Sequence, residues 1–230
     1  MDNNSTIPAT GGATKIVLAT IANSTIYTLQ EDNSAFFYRA GMEIDADGAY
    51  RAYNADNHLG LDYLANGGEP GNWWALVTDN GKPSGNPVIQ KEGDPAPGFY
   101  ISTTTLEDKA KSVTDPLRYV DSESIPYIVL PGNQTFGAKL SDLCIVYNVA
   151  KQKICGGVFA DTGPRNKIGE ASIAMANGVG VIGNPKNGGQ ESGLVYVVFP
   201  GSSVGWPLTA DAIQQNVRMR FPEAILSAQW

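Results

Sequence analysis

The sequence predicts a mainly β protein with a single domain, and two observations lead to this prediction. First, the 230 residues include 26 glycines and 14 prolines, which divide the apolar residues into short runs of strand length. Many turns between short strands are typical of barrels and sandwiches, not of helical bundles. Second, 42% of the residues are hydrophobic, which is enough for one substantial core at this length. We therefore expect residues 14–230 to form one domain.

Several short runs rich in β-branched and aromatic residues are predicted to be strands. They lie at residues 15–20, 25–29, 35–39, 99–102, 127–130, 143–148, 154–160 and 194–199. Residues 54–98 are dense in glycine, proline and asparagine and are predicted to be a loop-rich region. The C-terminal residues 209–217 have the pattern of a small amphipathic helix. The polar residues 1–13 are predicted to be a flexible leader.

Composition and charge argue against several classes of protein. Charged residues make up 17% of the chain and the net charge is -7, whereas a nucleic-acid-binding protein carries a basic surface. No run of about 18 apolar residues occurs, so we expect no transmembrane helix and no membrane partner. The first residues lack the basic and apolar stretches of a signal peptide. An acidic surface suits a cationic partner, and nothing in the sequence indicates an obligate oligomer, so a monomer is expected.

Metal and nucleophile chemistry has little support in the sequence. His58 is the only histidine, so no zinc cluster is predicted, and any Ser-His-Asp triad would have to use His58. A calcium loop starting at Glu43 would have Asn54 where a bidentate glutamate is needed. We therefore expect no metal and no cofactor. Cys144 and Cys155 flank a predicted hairpin, and both a disulfide and a pair of buried thiols remain open for them.

The stretch from residue 158 to residue 176 is the most informative part of the sequence. Its apolar strand is predicted to deliver Asp161 to a Thr-Gly-Pro turn. Residues at helical spacing then predict a short helix that starts near Glu170 and closes at Gly178. Both carboxylates are expected at the rim of the core, where they can reach a substrate. They could instead serve locally, Asp161 within its own turn and Glu170 as a first-turn acid.

This stretch resembles the signature of the fungal-type chitosanases, glycoside hydrolase family 75. In that family an Asp-x-Gly-Pro turn is followed by Lys-Ile-Gly-Glu-Ala-Ser, and similar blocks occur here in the expected order at residues 42–49, 98–104, 118–121 and 125–131. The resemblance implies a secreted, endo-acting enzyme that hydrolyses the β-1,4 bonds of chitosan with inversion. A glycosidase needs two carboxyl groups. We assign Glu170 as the general acid and Asp161 as the general base.

A second group of residues is predicted to bind the substrate. Asp45 and Asp47 would be suitable partners for the ammonium groups of glucosamine, although they could instead stabilise a turn. Tyr50 lies in the same acidic block and is included among the binding residues. Trp73 and Trp74 would alternate in direction on a strand, so one is predicted to pack in the core. The other could stack on a sugar ring, or both could be core or interface aromatics.

The Asp-Thr-Gly turn with its following acid also resembles lytic transglycosylases and family 45 endoglucanases. Their catalytic acids lie on a six-stranded double-psi β-barrel, so the similarity implies a barrel-like core of this type with a few short helices and long loops. Two other functions remain open. One is a non-catalytic, expansin-like carbohydrate-binding barrel, which would tolerate the loss of Glu170. The other is a peptidoglycan lytic transglycosylase, which would use a single acid.

Overall fold

The structure is a computed structural model that describes residues 6–8 and 14–221. The strands are β1 (Thr6–Pro8), β2 (Thr14–Ile21), β3 (Ser24–Leu29), β4 (Phe36–Asp45), β5 (Tyr127–Pro131), β6 (Leu143–Asn148), β7 (Lys153–Gly163), β8 (Glu170–Ser172) and β9 (Gln190–Val198). The helices are α1 (Leu64–Gly67), α2 (Ile173–Gly178) and α3 (Ala210–Arg220), together with a 3-10 turn at Pro116–Arg118. Among these described helices, none has the length and apolar character needed to cross a membrane.

Six strands close into a barrel in the order β4, β8, β5, β7, β6 and β9, with β9 pairing back to β4. The pairs β4–β8 and β5–β7 are parallel, and the other four pairs are antiparallel. These parallel pairs distinguish the barrel from an up-and-down barrel, whose neighbours are all antiparallel. Strands β3, β2 and β1 extend the sheet outward from β4. The prediction of a mainly β fold built on a six-stranded barrel is confirmed.

The barrel strands are buried on both faces. One face fills the barrel interior and includes Ile128, Phe159 and Ala171. The opposite face includes Val158 and Val195, and α3 packs on it through its own buried residues. Burial on both sides explains why these strands read as continuous apolar runs rather than as alternating patterns.

Most of the predicted strands and the C-terminal helix are found within a few residues of the expected bounds. The exception is 99–102, which forms only isolated bridges, such as those from Tyr100 to Ile89 and from Ser102 to Leu76. Its partners lie in the loop-rich region, where frequent turns prevent a continuous ladder. Within the predicted leader, residues 6–8 form β1 against β2, so this part of it is a strand. The rest of the leader lies outside the described residues.

The long region between β4 and β5 packs against the outer face of the barrel. Tyr53, Trp73 and Leu76 are among the residues of its small hydrophobic core. Two contacts hold its beginning in place: the Tyr127 hydroxyl donates to the backbone carbonyl of Asp47 at 2.9 Å, and Gly48 lies against the Val120 carbonyl. Gly48 has a φ of +77°, and a Cβ there would meet that carbonyl oxygen at 2.0 Å, so no larger residue fits.

The prediction of a helix that starts near Glu170 is wrong. Residues 170–172 form β8, and α2 begins only at Ile173, with the Ser172 hydroxyl accepting a hydrogen bond from the Met175 amide as an N-cap. β8 pairs with β4 on one side and with β5 on the other. These two ladders outweigh the local helical spacing, because tertiary pairing overrides intrinsic propensity.

The cysteines are two buried free thiols, which decides between the alternatives left open by the sequence. In the β6–β7 hairpin Cys144 pairs with Gly157 and Cys155 pairs with Val146, so the cysteines do not lie opposite each other. Burial raises the pKa of Cys144 well above its usual range and that of Cys155 to about 11. Both thiols are therefore protonated and unreactive at neutral pH.

We predict that Cys144 and Cys155 react with a thiol reagent such as DTNB only after the protein is unfolded. Titration in buffer and in denaturant would measure this, with two thiols expected in denaturant. A reducing agent should leave Tm unchanged, since no disulfide restricts the unfolded chain. A fall of several degrees in Tm on adding reductant would contradict the free-thiol assignment.

Candidate active site

A row of side chains crosses four neighbouring strands at one end of the barrel. Glu43 of β4 pairs with Glu170 of β8, Glu170 pairs with Val129 of β5, and Val129 pairs with Asp161 of β7. Paired residues on adjacent strands point to the same face of a sheet. Glu170 and Asp161 therefore flank Val129 on that face, with their backbones about 10 Å apart, which is twice the interstrand spacing.

A β-bulge turns Asp161 toward this face. Phe159 pairs with Ile128 and packs inside the barrel. In a regular strand the side chain of Asp161, two residues further along, would point to the same inner face. The register shifts between Ile128 and Val129, so that Ala160 is the extra residue and Asp161 pairs with Val129. Bulges often re-aim a side chain next to an active site. This one places the Asp161 carboxyl on the outer face, beside Glu170.

A cleft of about 640 Å³ lies over the row of acids. Barrel residues form its floor, and the region between β4 and β5 forms one wall. The opposite wall comes from the segments that follow β7 and α2. The lining includes Glu43, Asp45, Asp47, Tyr53, Asp62, Asn66, Trp74, Val129, Asp161, Pro164, Lys167, Glu170, Pro185 and Gly188. The two walls are tied together where the Lys186 ammonium group donates to the Asn57 and Gly60 carbonyls, both at 2.5 Å.

Asp161 is buried and receives three hydrogen bonds on a single carboxylate oxygen. Oδ1 accepts from the Thr105 amide at 2.9 Å, from the Thr105 hydroxyl at 2.5 Å and from the Thr162 amide at 2.8 Å. Burial raises the pKa of Asp161 above its usual value, and these three donors offset part of that increase. Donors that bind the charged form stabilise the carboxylate. The donors thus favour the ionised form of Asp161 against the effect of its burial.

Glu170 has a different environment, because its charged neighbour is a lysine. The Lys167 ammonium nitrogen lies 3.3 Å from a Glu170 carboxylate oxygen and 2.7 Å from one of Glu43. Burial is the main cause that raises the pKa of Glu170, and Lys167 opposes it, while Glu43 and Asp161 add to the increase. Two carboxyl groups in such unlike surroundings can take the separate roles of proton donor and proton acceptor.

Asp45 and Asp47 bring two more acids to the cleft. Carboxylate oxygens of Asp45, Asp47 and Asp161 lie within 4.8 Å of one another. The Asp47 amide donates to Asp45 at 2.8 Å, and the Tyr53 hydroxyl donates to Asp47 at 2.7 Å. Burial, followed by repulsion from the neighbouring acids, raises the pKa of both residues well above the usual range. No metal was expected from the sequence, but this group of three oxygens is compact enough to contact a single cation, either a metal ion or an ammonium group.

The structure brings only some of the predicted binding residues to the cleft. Trp74 lines it with 57% of its surface exposed, and its indole nitrogen donates to the Asn66 carbonyl at 3.0 Å. Trp73 is 9% exposed and packs in the hydrophobic core of the β4–β5 region, so one tryptophan is in the core as expected and the other is exposed. Trp73 and Tyr50 are not among the residues that line the cleft. Trp73 is held in that core, and the Tyr50 carbonyl accepts a bond from the buried Gln90 side chain.

Three functional features were missed by the sequence analysis. They are the hydroxyl of Thr105, the sharing of Lys167 between Glu43 and Glu170, and the bulge at Ala160. The block at residues 98–104 ends one position before Thr105, and this proximity was the available signal. Glu170 is only three positions from Lys167, but the contact of Lys167 with Glu43 depends on the β4–β8 register, which local pattern does not give.

Two carboxyl groups that flank the floor of an open cleft on a β-barrel are the arrangement of a glycoside hydrolase. Comparison with protein families supports this class: residues 85–228 match the model described as fungal chitosanase of glycosyl hydrolase group 75. The match spans well over half of the chain and includes both Asp161 and Glu170, so the chain belongs to this family and is a glycoside hydrolase. The search of curated proteins found no match.

We predict that replacing Lys167 by Met raises the pKa of Glu170, because it removes the cation 3.3 Å from that carboxylate. ¹³C NMR titration of the glutamate carboxyl groups would measure the change without relying on turnover. The matched control is Lys91→Met, at an exposed lysine outside the cleft lining. A Glu170 titration that is the same in Lys167→Met as in the parent would contradict the electrostatic role of Lys167.

Proposed function

We propose that this protein is an endo-acting chitosanase that hydrolyses the β-1,4-glucosaminidic bonds of chitosan with inversion at the anomeric carbon. The placement of Glu170 and Asp161 on either side of Val129 carries the proposal. Inverting enzymes hold their carboxyl groups about 6.5–9.5 Å apart, leaving room for a water molecule, whereas retaining enzymes need about 5–5.5 Å. Backbones about 10 Å apart, with both side chains on one face, fit the wider separation.

The reaction follows from the two carboxyl environments. Protonated Glu170 gives its proton to the glycosidic oxygen as the bond between that oxygen and the anomeric carbon breaks. A water molecule attacks the anomeric carbon from the opposite face, and ionised Asp161 takes the proton that this water loses. The products are two shorter chains, one of which carries a new reducing end of inverted configuration. Proton exchange with solvent then restores both carboxyl groups.

The contacts of the two acids support this division of roles. Asp161 needs to be ionised as the base, and the three donors on its Oδ1 favour that form. Glu170 needs a raised pKa as the acid, and burial supplies it. A helix N-terminus would have favoured ionised Glu170, but this residue lies on β8 and not in the first turn of a helix.

A cationic polysaccharide suits the other cleft residues. Asp45 and Asp47 present closely spaced carboxylates to the ammonium groups of glucosamine units. Exposed Trp74 offers a flat apolar surface at the cleft wall for a sugar ring. Because chitosan is a polymer found outside the cell that uses it, we further propose that the enzyme is secreted, and that it acts as a monomer.

Replacing Glu170 by Gln or Asp161 by Asn should each lower kcat on highly deacetylated chitosan by roughly 10²–10⁴-fold, the range of a general acid or base. Initial rates of reducing-end release would measure the loss, and ¹H NMR of the fresh products would give their anomeric configuration. The parent enzyme should release α-configured ends. Glu123→Gln is a suitable control, since Glu123 is a solvent-exposed acid paired with Arg51.

Each contrary result has a clear meaning. Full activity in either catalytic variant would remove the assignment of that residue. Fresh products of β configuration would exclude inversion. Binding of chitosan without hydrolysis by the parent would instead favour the expansin-like function, and an anhydro product from peptidoglycan would favour the lytic transglycosylase.

Trp74→Ala should raise KM for chitosan oligosaccharides about 5- to 10-fold, which corresponds to about 1–1.4 kcal/mol of lost contact, with little change in kcat. Steady-state kinetics on an oligosaccharide long enough to fill the cleft would test this. Trp206→Ala is the matched control, because Trp206 is also partly exposed, at 38%, but lies outside the cleft lining. An unchanged KM in Trp74→Ala would argue against stacking at this residue.

A further inference from the structure

Thr105 makes two hydrogen bonds to the same oxygen of Asp161. Its amide and its hydroxyl both donate to Oδ1, at 2.9 Å and 2.5 Å. The Thr162 hydroxyl lies 2.9 Å from the Thr105 hydroxyl, and the Thr162 amide donates to that hydroxyl at 3.2 Å. With these groups on its acceptor side, the single proton of the Thr105 hydroxyl is directed at Asp161.

The segment that carries Thr105 is fixed on both sides. The next residue, Leu106, donates its amide to the Ala160 carbonyl at 2.8 Å, which ties the segment to the bulge on β7. The preceding Thr104 hydroxyl donates to the Leu106 carbonyl at 2.7 Å and accepts from the Val120 amide at 3.0 Å. Thr105 itself is exposed. Its hydroxyl is thus held in place by its neighbours rather than by packing of its own side chain.

We propose that Thr105 is a positioning residue that orients Asp161 so that Oδ1 is fully occupied by donors and Oδ2 takes the proton of the attacking water. A carboxylate oxygen offers about two lone-pair sites, and the three donors on Oδ1 leave none for water. Oδ2 is then the oxygen that faces the substrate. The inference rests on the proposed hydrolysis, and it gives Asp161 one defined reactive atom.

The Thr105 hydroxyl also has an electrostatic consequence. Burial raises the pKa of Asp161, and the hydrogen bond from the Thr105 side chain is the largest opposing cause. Other titratable groups interact with this carboxyl from the neighbouring elements: Asp45 on β4, Asp47 just after it, Tyr127 on β5, and Glu170 on β8, which is itself paired with Lys167. All of these groups remain when the hydroxyl alone is removed, so a change in titration can be traced to Thr105.

The test compares Thr105→Val, which keeps the amide donor and the side-chain shape, with Thr105→Ser, which keeps the hydroxyl. Thr105→Val should lower kcat roughly 10- to 100-fold, the range for a hydrogen bond to a charged group, with KM unchanged. Because loss of the hydroxyl raises the pKa of Asp161, the proposed base, the acidic limb of the pH profile of kcat should move to higher pH. Thr105→Ser should restore both. Thr114→Val, at an exposed threonine bonded to Ser112 in its own loop, is the control.

The outcomes separate this inference from the proposed function. If the parent enzyme does not cleave chitosan, the proposed function fails, and ¹³C NMR titration of the aspartate carboxyl groups still tests whether Thr105 lowers the pKa of Asp161. If the parent cleaves chitosan and Thr105→Val matches it in kcat and in the acidic limb, the positioning role is overturned. A lower Tm with an unchanged acidic limb would likewise overturn it, since that result would show that Thr105 only holds the loop to the barrel.

Discussion

The structure depends on the pairing of one short strand with two neighbours at once. β8 has only three residues, yet it joins β4 in a parallel ladder and β5 in an antiparallel ladder, which closes the barrel. The Ser172 hydroxyl reinforces this junction, because it accepts from the Tyr127 and Met175 amides and donates to the Ile125 carbonyl. The same three residues place Glu170 beside Val129. Barrel closure and the geometry of the proposed catalytic pair therefore have one physical origin.

The local sequence pattern predicted correctly those strands whose burial and pairing in the fold match their local propensity. The runs at 143–148 and 154–160 are apolar and β-branched, and they form the central hairpin of the barrel. The pattern failed at Glu170, where the predicted helix includes three residues that the barrel uses as a strand. It also gave no sign of the bulge at Ala160, because the extra residue is detectable only from the register against β5.

The site shows the same division between local and long-range information. Asp161, Glu170, Asp45 and Asp47, all of which line the cleft, were candidates from the sequence, since each lies within a short recognisable block. Thr105 was not found, because its partner Asp161 is 56 positions away and the contact exists only once the β4–β5 region packs on the barrel. The alternation of a strand indicated that one of Trp73 and Trp74 packs in the core, but only the structure shows that Trp74 is the one that reaches the cleft.

The crowding of acids in the cleft provides a physical basis for selecting a cationic sugar. Burial and mutual repulsion raise the pKa of Asp45, Asp47 and Glu170, so these groups resist ionisation while the cleft is empty. A bound ammonium group relieves that repulsion and lowers the pKa of the acids that contact it, whereas a neutral glycan brings no such gain. By linkage, binding then releases protons and strengthens as the pH rises, until the substrate amines themselves lose their charge. For the chitosan substrate that we propose, tight binding is thus limited at low pH by protonation of the cleft acids and at high pH by deprotonation of the substrate amines.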